Sequence, residues 1–160
     1  MGFIHGVAQS IYEMSFRSSE IYICRVGLLH VQESTVSVNI GNCGPGLSGC
    51  ITAKKKELPE QGSEFVPKNC KITGTGKVRL GRVWGAYSTV IIYNKTISDV
   101  VVPDGWNAWP SVGHVANLTY VEANNIGPGA DTSKLVPWLK KLDAVQLSQF
   151  VNLSFIGADG

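Results

Sequence analysis

Leu80-Gly81-Arg82-Val83-Trp84-Gly85-Ala86-Tyr87-Ser88 decides how the rest of the chain is read. It sets a fixed cation and an indole two residues apart. In a strand, residues two apart point to the same face. One face would then carry a guanidinium able to hold a carboxylate and an aromatic plate able to lie against a sugar ring. That pairing suits a carboxylate-bearing carbohydrate, a carboxylate nucleophile, or both.

Outward from this stretch, short β-branched runs recur between turn residues. They are Ile21 to Ile23, Leu28 to Val31, Val36 to Ile40, Cys50 to Ala53, Lys71 to Thr73, Val78 to Leu80, Val90 to Tyr93 and Val100 to Val102. The turn clusters Gly41 to Gly46, Gly74 to Lys77 and Pro103 to Gly105 separate them. Helical spacing is confined to the tail, where Leu139, Leu142, Val145 and Gln146 recur within residues 133–148. Asp143 is placed to cap a short helix starting near Ala144. Many short strands with irregular turns fit a sandwich, a barrel or a parallel β-helix, and periodicity alone does not separate these. The wholly apolar Val90-Ile91-Ile92 reads as a strand covered on both faces.

The chain has 160 residues, enough for one core, and one domain is expected. Hydrophobic residues at 44% and charged residues at 16% exclude a disordered chain. A net charge of +2 with no Lys/Arg stripe excludes nucleic acid as the partner. Lys54-Lys55-Lys56 reads as a solvated loop. No apolar run reaches the ~20 residues needed to cross a bilayer, so no membrane partner is expected. Sequons stand at Asn94, Asn117 and Asn152, while Met1 to His5 does not open a signal peptide. Together these lead us to expect a secreted glycoprotein whose front is missing; the alternative is that the three asparagines are ordinary turn residues. Cysteines at 24, 43, 50 and 70 lack zinc-ligand spacing. Cys43 and Cys50 flank a Gly/Pro loop and could pair, or all four could be small buried thiols.

The quoted stretch resembles the Leu-Gly-Arg-Pro-Trp segment of plant pectin methylesterases. The likeness continues through Asp99-Val100-Val101-Val102-Pro103-Asp104-Gly105-Trp106-Asn107-Ala108-Trp109, then Tyr120 to Ser133, and ends at Val136-Pro137-Trp138. Weaker likeness at Gly49 to Ala53 and Phe65 to Ile72 extends it over most of the chain. The resemblance selects among the all-β folds left open above. It implies a right-handed parallel β-helix, here an N-terminally truncated solenoid with loops and a short C-terminal helix. Residues 1–160 would then form a single partial domain, the C-terminal part of the enzyme. It also implies secretion to the plant cell wall and hydrolysis of methyl esters of homogalacturonan. Pectin would be the substrate, a proteinaceous inhibitor a further partner, and neither cofactor nor metal would be needed.

In that family one aspartate attacks the ester carbonyl and a second serves as acid and then base. Glutamines stabilise the oxyanion, an arginine orients the nucleophile and a tryptophan contacts the sugar. A nearby cation keeps one carboxylate ionised while a neighbouring like charge favours protonation of the other. By the resemblance, Arg82 is the orienting arginine and Trp84 the sugar contact, with Trp106 and Trp109 as candidate walls of the pectin groove. Those two tryptophans equally suit packing onto a solenoid. The nucleophile opens an Asp-Phe-Ile-Phe-Gly motif, which aligns with Gly2-Phe3-Ile4-His5-Gly6 and is followed by Ile11-Tyr12-Glu13. Gly2 therefore stands at the nucleophile's position, and the acid and the glutamines fall before Met1. Val83 replaces the usual Pro, and Leu135 stands where Arg commonly precedes Val-x-Trp. His5, Ser10 and Ser88 have no catalytic setting, and Asp99, Asp104, Glu122 and Asp131 form no assignable acid/base pair. Gly127-Pro128-Gly129-Ala130 reads as a turn, lacking the lysine of a phosphate loop.

Three functions follow: an esterase of the family's Asp-nucleophile type that is inactive as this chain alone, a non-catalytic pectin-binding protein, or an inert truncated paralogue.

Overall fold

Parallel strands cannot be joined by a tight hairpin, so the chain must travel between partners. How it travels here defines the architecture. The structure, a computed structural model, describes residues 2–3, 13–16, 21–22, 29–32, 35–39, 49–54, 56–60, 64–108 and 114–151. Its strands in order are β1 (Gly2–Phe3), β2 (Glu13–Phe16), β3 (Ile21–Tyr22), β4 (Leu29–Gln32), β5 (Thr35–Asn39), β6 (Gly49–Lys54) and β7 (Glu64–Lys68). They continue with β8 (Lys71–Thr75), β9 (Val78–Val83), β10 (Thr89–Tyr93), β11 (Thr96–Ile97), β12 (Trp106–Asn107) and β13 (Thr119–Ala123). A 3₁₀ turn at Pro128–Ala130 and the helix α1 (Ala144–Val151) follow.

Every pairing between the described strands is parallel. One wall holds β2, β5, β8 and β11, a second holds β4, β7, β10 and β13, and a third holds β6, β9 and β12. Strand β1 pairs with β3, which lies close to β6. From β2 onward the chain visits these walls in fixed rotation, each turn laying three strands onto the three of the turn before. That is a parallel β-helix, the fold expected above. Its register runs unbroken: Glu13, Thr35, Lys71, Thr96 and Ile126 succeed one another on the first wall. Thr52, Gly81 and Trp106 do so on the third.

The register stacks like on like inside. Val36 lies opposite Ile72 and Ile72 opposite Ile97, all buried. Each such Val or Ile stabilises the fold by about 1.5–3 kcal/mol relative to exposure. β10 is covered on both faces, as its sequence suggested. Val90 and Ile92 join the central core, while Ile91 packs outside with Val66, Val121 and Val151. Helix α1 covers that outer patch, and its start is fixed as expected. Gln146 N–H donates to Asp143 Oδ1 at 2.8 Å, and Asp143 N–H donates to Gln146 Oε1 at 3.0 Å. Residues 133–143, although spaced like a helix, lie outside it.

At one corner the chain turns through Asn69, Asn94 and Asn124, with φ of 51°, 53° and 55°. Asparagine tolerates this left-handed conformation better than most residues. Asn94 Nδ2 donates to Asn69 Oδ1 at 2.6 Å, tying one coil to the next. The open end of the stack is closed by the C-terminal segment. Lys140 N–H donates to Tyr120 O at 2.9 Å, and Leu135, Val136, Trp138 and Leu139 pack on the core.

Two local expectations change. Val100 to Val102 form no strand; a single bridge links Val101 to Val78. The lysine run is not a solvated loop throughout, since Lys54 ends β6 and Lys56 is buried. Its backbone carbonyl accepts from Tyr87 N–H at 3.0 Å, which draws the run into the neighbouring coil.

Candidate active site

β9 carries the motif that opened the reading. Gly81 lies in register between Thr52 and Trp106, and a Cβ built there would sit 2.2 Å from Thr52 Oγ1 and 2.8 Å from the Trp106 ring. Only a hydrogen fits. Four residues on, a Cβ at Gly85 would come within 2.3 Å of Lys56 O. The two glycines thus let the coils close tightly on either side of Arg82 and Trp84. Arg82 is half-buried and sits in register between Ala53 and Asn107. Val83 is fully buried, and Trp84, just past the strand end, is 37% exposed. This half-buried, buried, exposed order fits the alternation of a strand in which Val83 turns inward.

Trp106, expected as a candidate wall of the groove, is packed into the core. It is only 1% exposed, its ring is 4.9 Å from Tyr120 at 88°, and Tyr120 in turn meets Trp138 at 5.5 Å and 73°. Such edge-to-face trains suit the aromatic quadrupole. The indole N–H donates to Glu122 Oε1 at 2.6 Å. Burial raises the Glu122 carboxyl above its ordinary value, with the indole and Asn125 opposing. One edge of Trp106 borders a hollow of about 370 Å³ that also touches Arg79, Asp104, Asn107 and Trp138. Trp109, His5 and Ser10 lie outside the described residues.

Gly2 is in β1, opposite Ile21 of β3. Since β3 is close to β6 and β6 pairs with β9, a chain of adjacent strands leads from Gly2 to Arg82. The acidic residues are engaged singly. Asp104 Oδ2 meets Arg79 Nη2 at 2.7 Å, Asp99 meets Lys77 at 3.6 Å, and Asp131 accepts from Ser133 N–H at 2.9 Å. The Ser133 backbone bond holds the Asp131 carboxyl below its ordinary value. Ser88 is buried and donates to Gly85 O at 2.9 Å, a turn contact. Leu135, at the family's arginine position, packs over Gly105. Cys50 and Cys70 are buried thiols outside any disulfide, and Cys43 lies outside the described residues. Among the described residues no cluster of His, Cys, Asp and Glu could hold a metal, and no helix is long and apolar enough to cross a membrane.

Sequence reasoning missed the Arg79–Asp104 pair and the Trp106–Glu122 bond. Their partners are distant in sequence, and only the coil register would have brought them together.

Comparison with known proteins fits this geometry. The Pectinesterase family profile matches residues 22–159. Probable pectinesterase 29 of Arabidopsis thaliana is 39% identical over 158 residues, spanning 99% of this chain and 42% of that protein. Putative pectinesterase 10 of the same plant is 39% identical over 159 residues, spanning 99% and 41%. The chain therefore spans about two-fifths of the length of these relatives. A pectin methylesterase from carrot shares the fold with a TM-score of 0.77 at 24% identity, over 98% of this chain and 54% of that one. The pectin methylesterase from Aspergillus niger does so with a TM-score of 0.65 at 23% identity, over 97% and 53%. This chain belongs to the pectinesterase family.

Proposed function

We propose that the protein engages methyl-esterified homogalacturonan in the plant cell wall through Arg82 and Trp84. In this reading Gly2 at the nucleophile's position leaves this chain alone unable to cleave the ester. The observation that carries it is the pairing of half-buried Arg82 with exposed Trp84 on either side of buried Val83. A guanidinium holds a uronate carboxylate, and an exposed indole offers a face to a sugar ring. Glycine at position 2 has no group to attack a carbonyl, so the bond-breaking step has no nucleophile there. The relatives' pectinesterase names support the substrate class. Secretion and glycan attachment belong to the same reading, supported by the sequons at Asn94 and Asn117, whose side chains are exposed. A proteinaceous inhibitor would compete for the same exposed face.

Purified chain mixed with methylated pectin is expected to bind it in a pull-down and to release no methanol. Arg82→Ala and Trp84→Ala are each expected to weaken binding about tenfold, the loss of a contact worth about 1.4 kcal/mol. Methanol release by the wild-type chain would overturn the assignment of Gly2. Wild-type affinity in both variants would overturn the binding face.

A further inference from the structure

Lys95 has no part in the pectin reading, yet its surroundings are unusual for a lysine. Lys71 and Thr96 are partners across β8 and β11. Cys70 and Lys95, each one residue earlier, therefore occupy equivalent positions on neighbouring coils. Thr96 N–H donates to Cys70 O at 3.1 Å, which fixes the two backbones side by side. Neighbouring strands lie about 4.8 Å apart, a span a lysine side chain bridges easily. Both residues are buried, Lys95 with 1% exposure and Cys70 with 2%. Among the described residues Lys95 Nζ makes no hydrogen bond of good geometry, so the cost of burying the amine is offset only in part, by the neighbouring Cys70 thiol. Burial lowers its pKa to about 8, against a smaller opposing effect of the Cys70 thiol. About a tenth of the amine is thus neutral and nucleophilic at pH 7. A hollow of about 320 Å³ borders both residues, together with Asn69, Asn94 and Thr96. It has room for a solute the size of hydrogen peroxide.

We propose that Cys70 and Lys95 form a redox-modification site at which a peroxide joins Cys70 Sγ to Lys95 Nζ and rivets two neighbouring coils. In the first step the sulfur attacks the peroxide, the O–O bond breaks, and Cys70 becomes a sulfenic acid with release of one water. Sulfur is oxidised by two electrons and the peroxide is reduced. In the second step the Lys95 amine attacks that sulfur, the S–O bond breaks, and a second water leaves with one amine proton. The product is an S–N bond, and the pair has lost two hydrogens in total. Sulfenic acids condense with a nearby nitrogen in this way. A thiol reductant attacks the sulfur and restores both side chains.

The test treats the folded wild-type protein with hydrogen peroxide and maps its peptides without reductant. A peptide joining Cys70 to Lys95 is expected, with trypsin no longer cutting after Lys95 and dithiothreitol reversing both changes. Lys95→Arg keeps the charge but supplies no neutral amine, so Cys70 should instead gather two or three oxygens. Should that variant fail to fold, the wild-type map decides by itself. Cys70 recovered as a thiol, an oxyacid or a disulfide, with normal cleavage after Lys95, would overturn the proposal. The result is independent of pectin binding.

Discussion

At Gly81 the side chain is a hydrogen because Thr52 and Trp106 already occupy the space beside it. Gly81→Ala must push the indole or open the coils, and overpacking of this kind costs about 1–3 kcal/mol. A lowered urea midpoint with an unchanged slope is expected; an unchanged midpoint would mean the indole yields freely. Because Trp106 is also tied to Glu122, the substitution is expected to disturb that bond as well. Glu122 gives the second prediction at this scale. Burial raises its carboxyl pKa, so the folded chain holds that proton more tightly than the unfolded chain does. Its contribution is full below the ordinary value of 4.5 and is lost as pH rises through the raised value. Glu122→Gln keeps an acceptor for the indole N–H and removes the titration. Thermal unfolding followed from acid to neutral pH should therefore show a flatter profile for the variant and a higher midpoint at neutral pH. A profile parallel to wild type would assign the pH dependence to another group.

Among the elements, the corner asparagines are as informative as the strands. Asn94 combines a left-handed backbone with a side-chain bond to the coil before it. In protein made without glycans, Asn94→Gly keeps the backbone easy and loses only the bond, a cost of about 1 kcal/mol. Asn94→Ala loses the bond and also strains the backbone, adding about 1–2 kcal/mol. Chemical denaturation should rank wild type above glycine above alanine; alanine equal to glycine would show that the corner relaxes. This pattern also marks where the sequence was legible. β5, β6, β8, β9 and β10 were readable because β-branched residues recur between turn signals, and α1 because Asp143 announces its first turn. β7 was not, because Pro67 interrupts it; the structure places Pro67 opposite Val31 of β4 all the same. β11 and β12 have two residues each, too short for any period to show. Neither could composition tell that Trp106 turns inward while Trp84 stays open, because an indole serves both places equally well.

Across the whole molecule, stability is shared between neighbouring coils, since each coil touches little beyond the one before and the one after. A stack of this kind needs an end. Its last coil would otherwise present unpaired backbone groups and an apolar surface to any other strand. Here residues 135–140 supply the closure: Lys140 N–H takes the Tyr120 carbonyl, and Trp138 completes the aromatic train from Trp106 through Tyr120. Tyr120 is fully buried beneath it, and burial holds its phenol well above the ordinary value. Trp138→Ala would remove the outermost ring and leave the Tyr120 ring facing water. Trp138 is half-buried, so the loss should fall below the 3–5 kcal/mol of a fully buried tryptophan, at roughly 2–3 kcal/mol. The consequence should exceed simple destabilisation, because an uncapped coil pairs with its equivalent in a second molecule. Sedimentation of the variant at temperatures below its melting point is expected to show concentration-dependent association that the wild type lacks. Gly81→Ala, with a similar energetic cost but an intact cap, is the control: it should melt earlier and remain unassociated. If both variants associate alike, the effect follows from lost stability and residues 135–140 are packing without a capping role. If only Trp138→Ala does so, the C-terminal segment is what ends the stack.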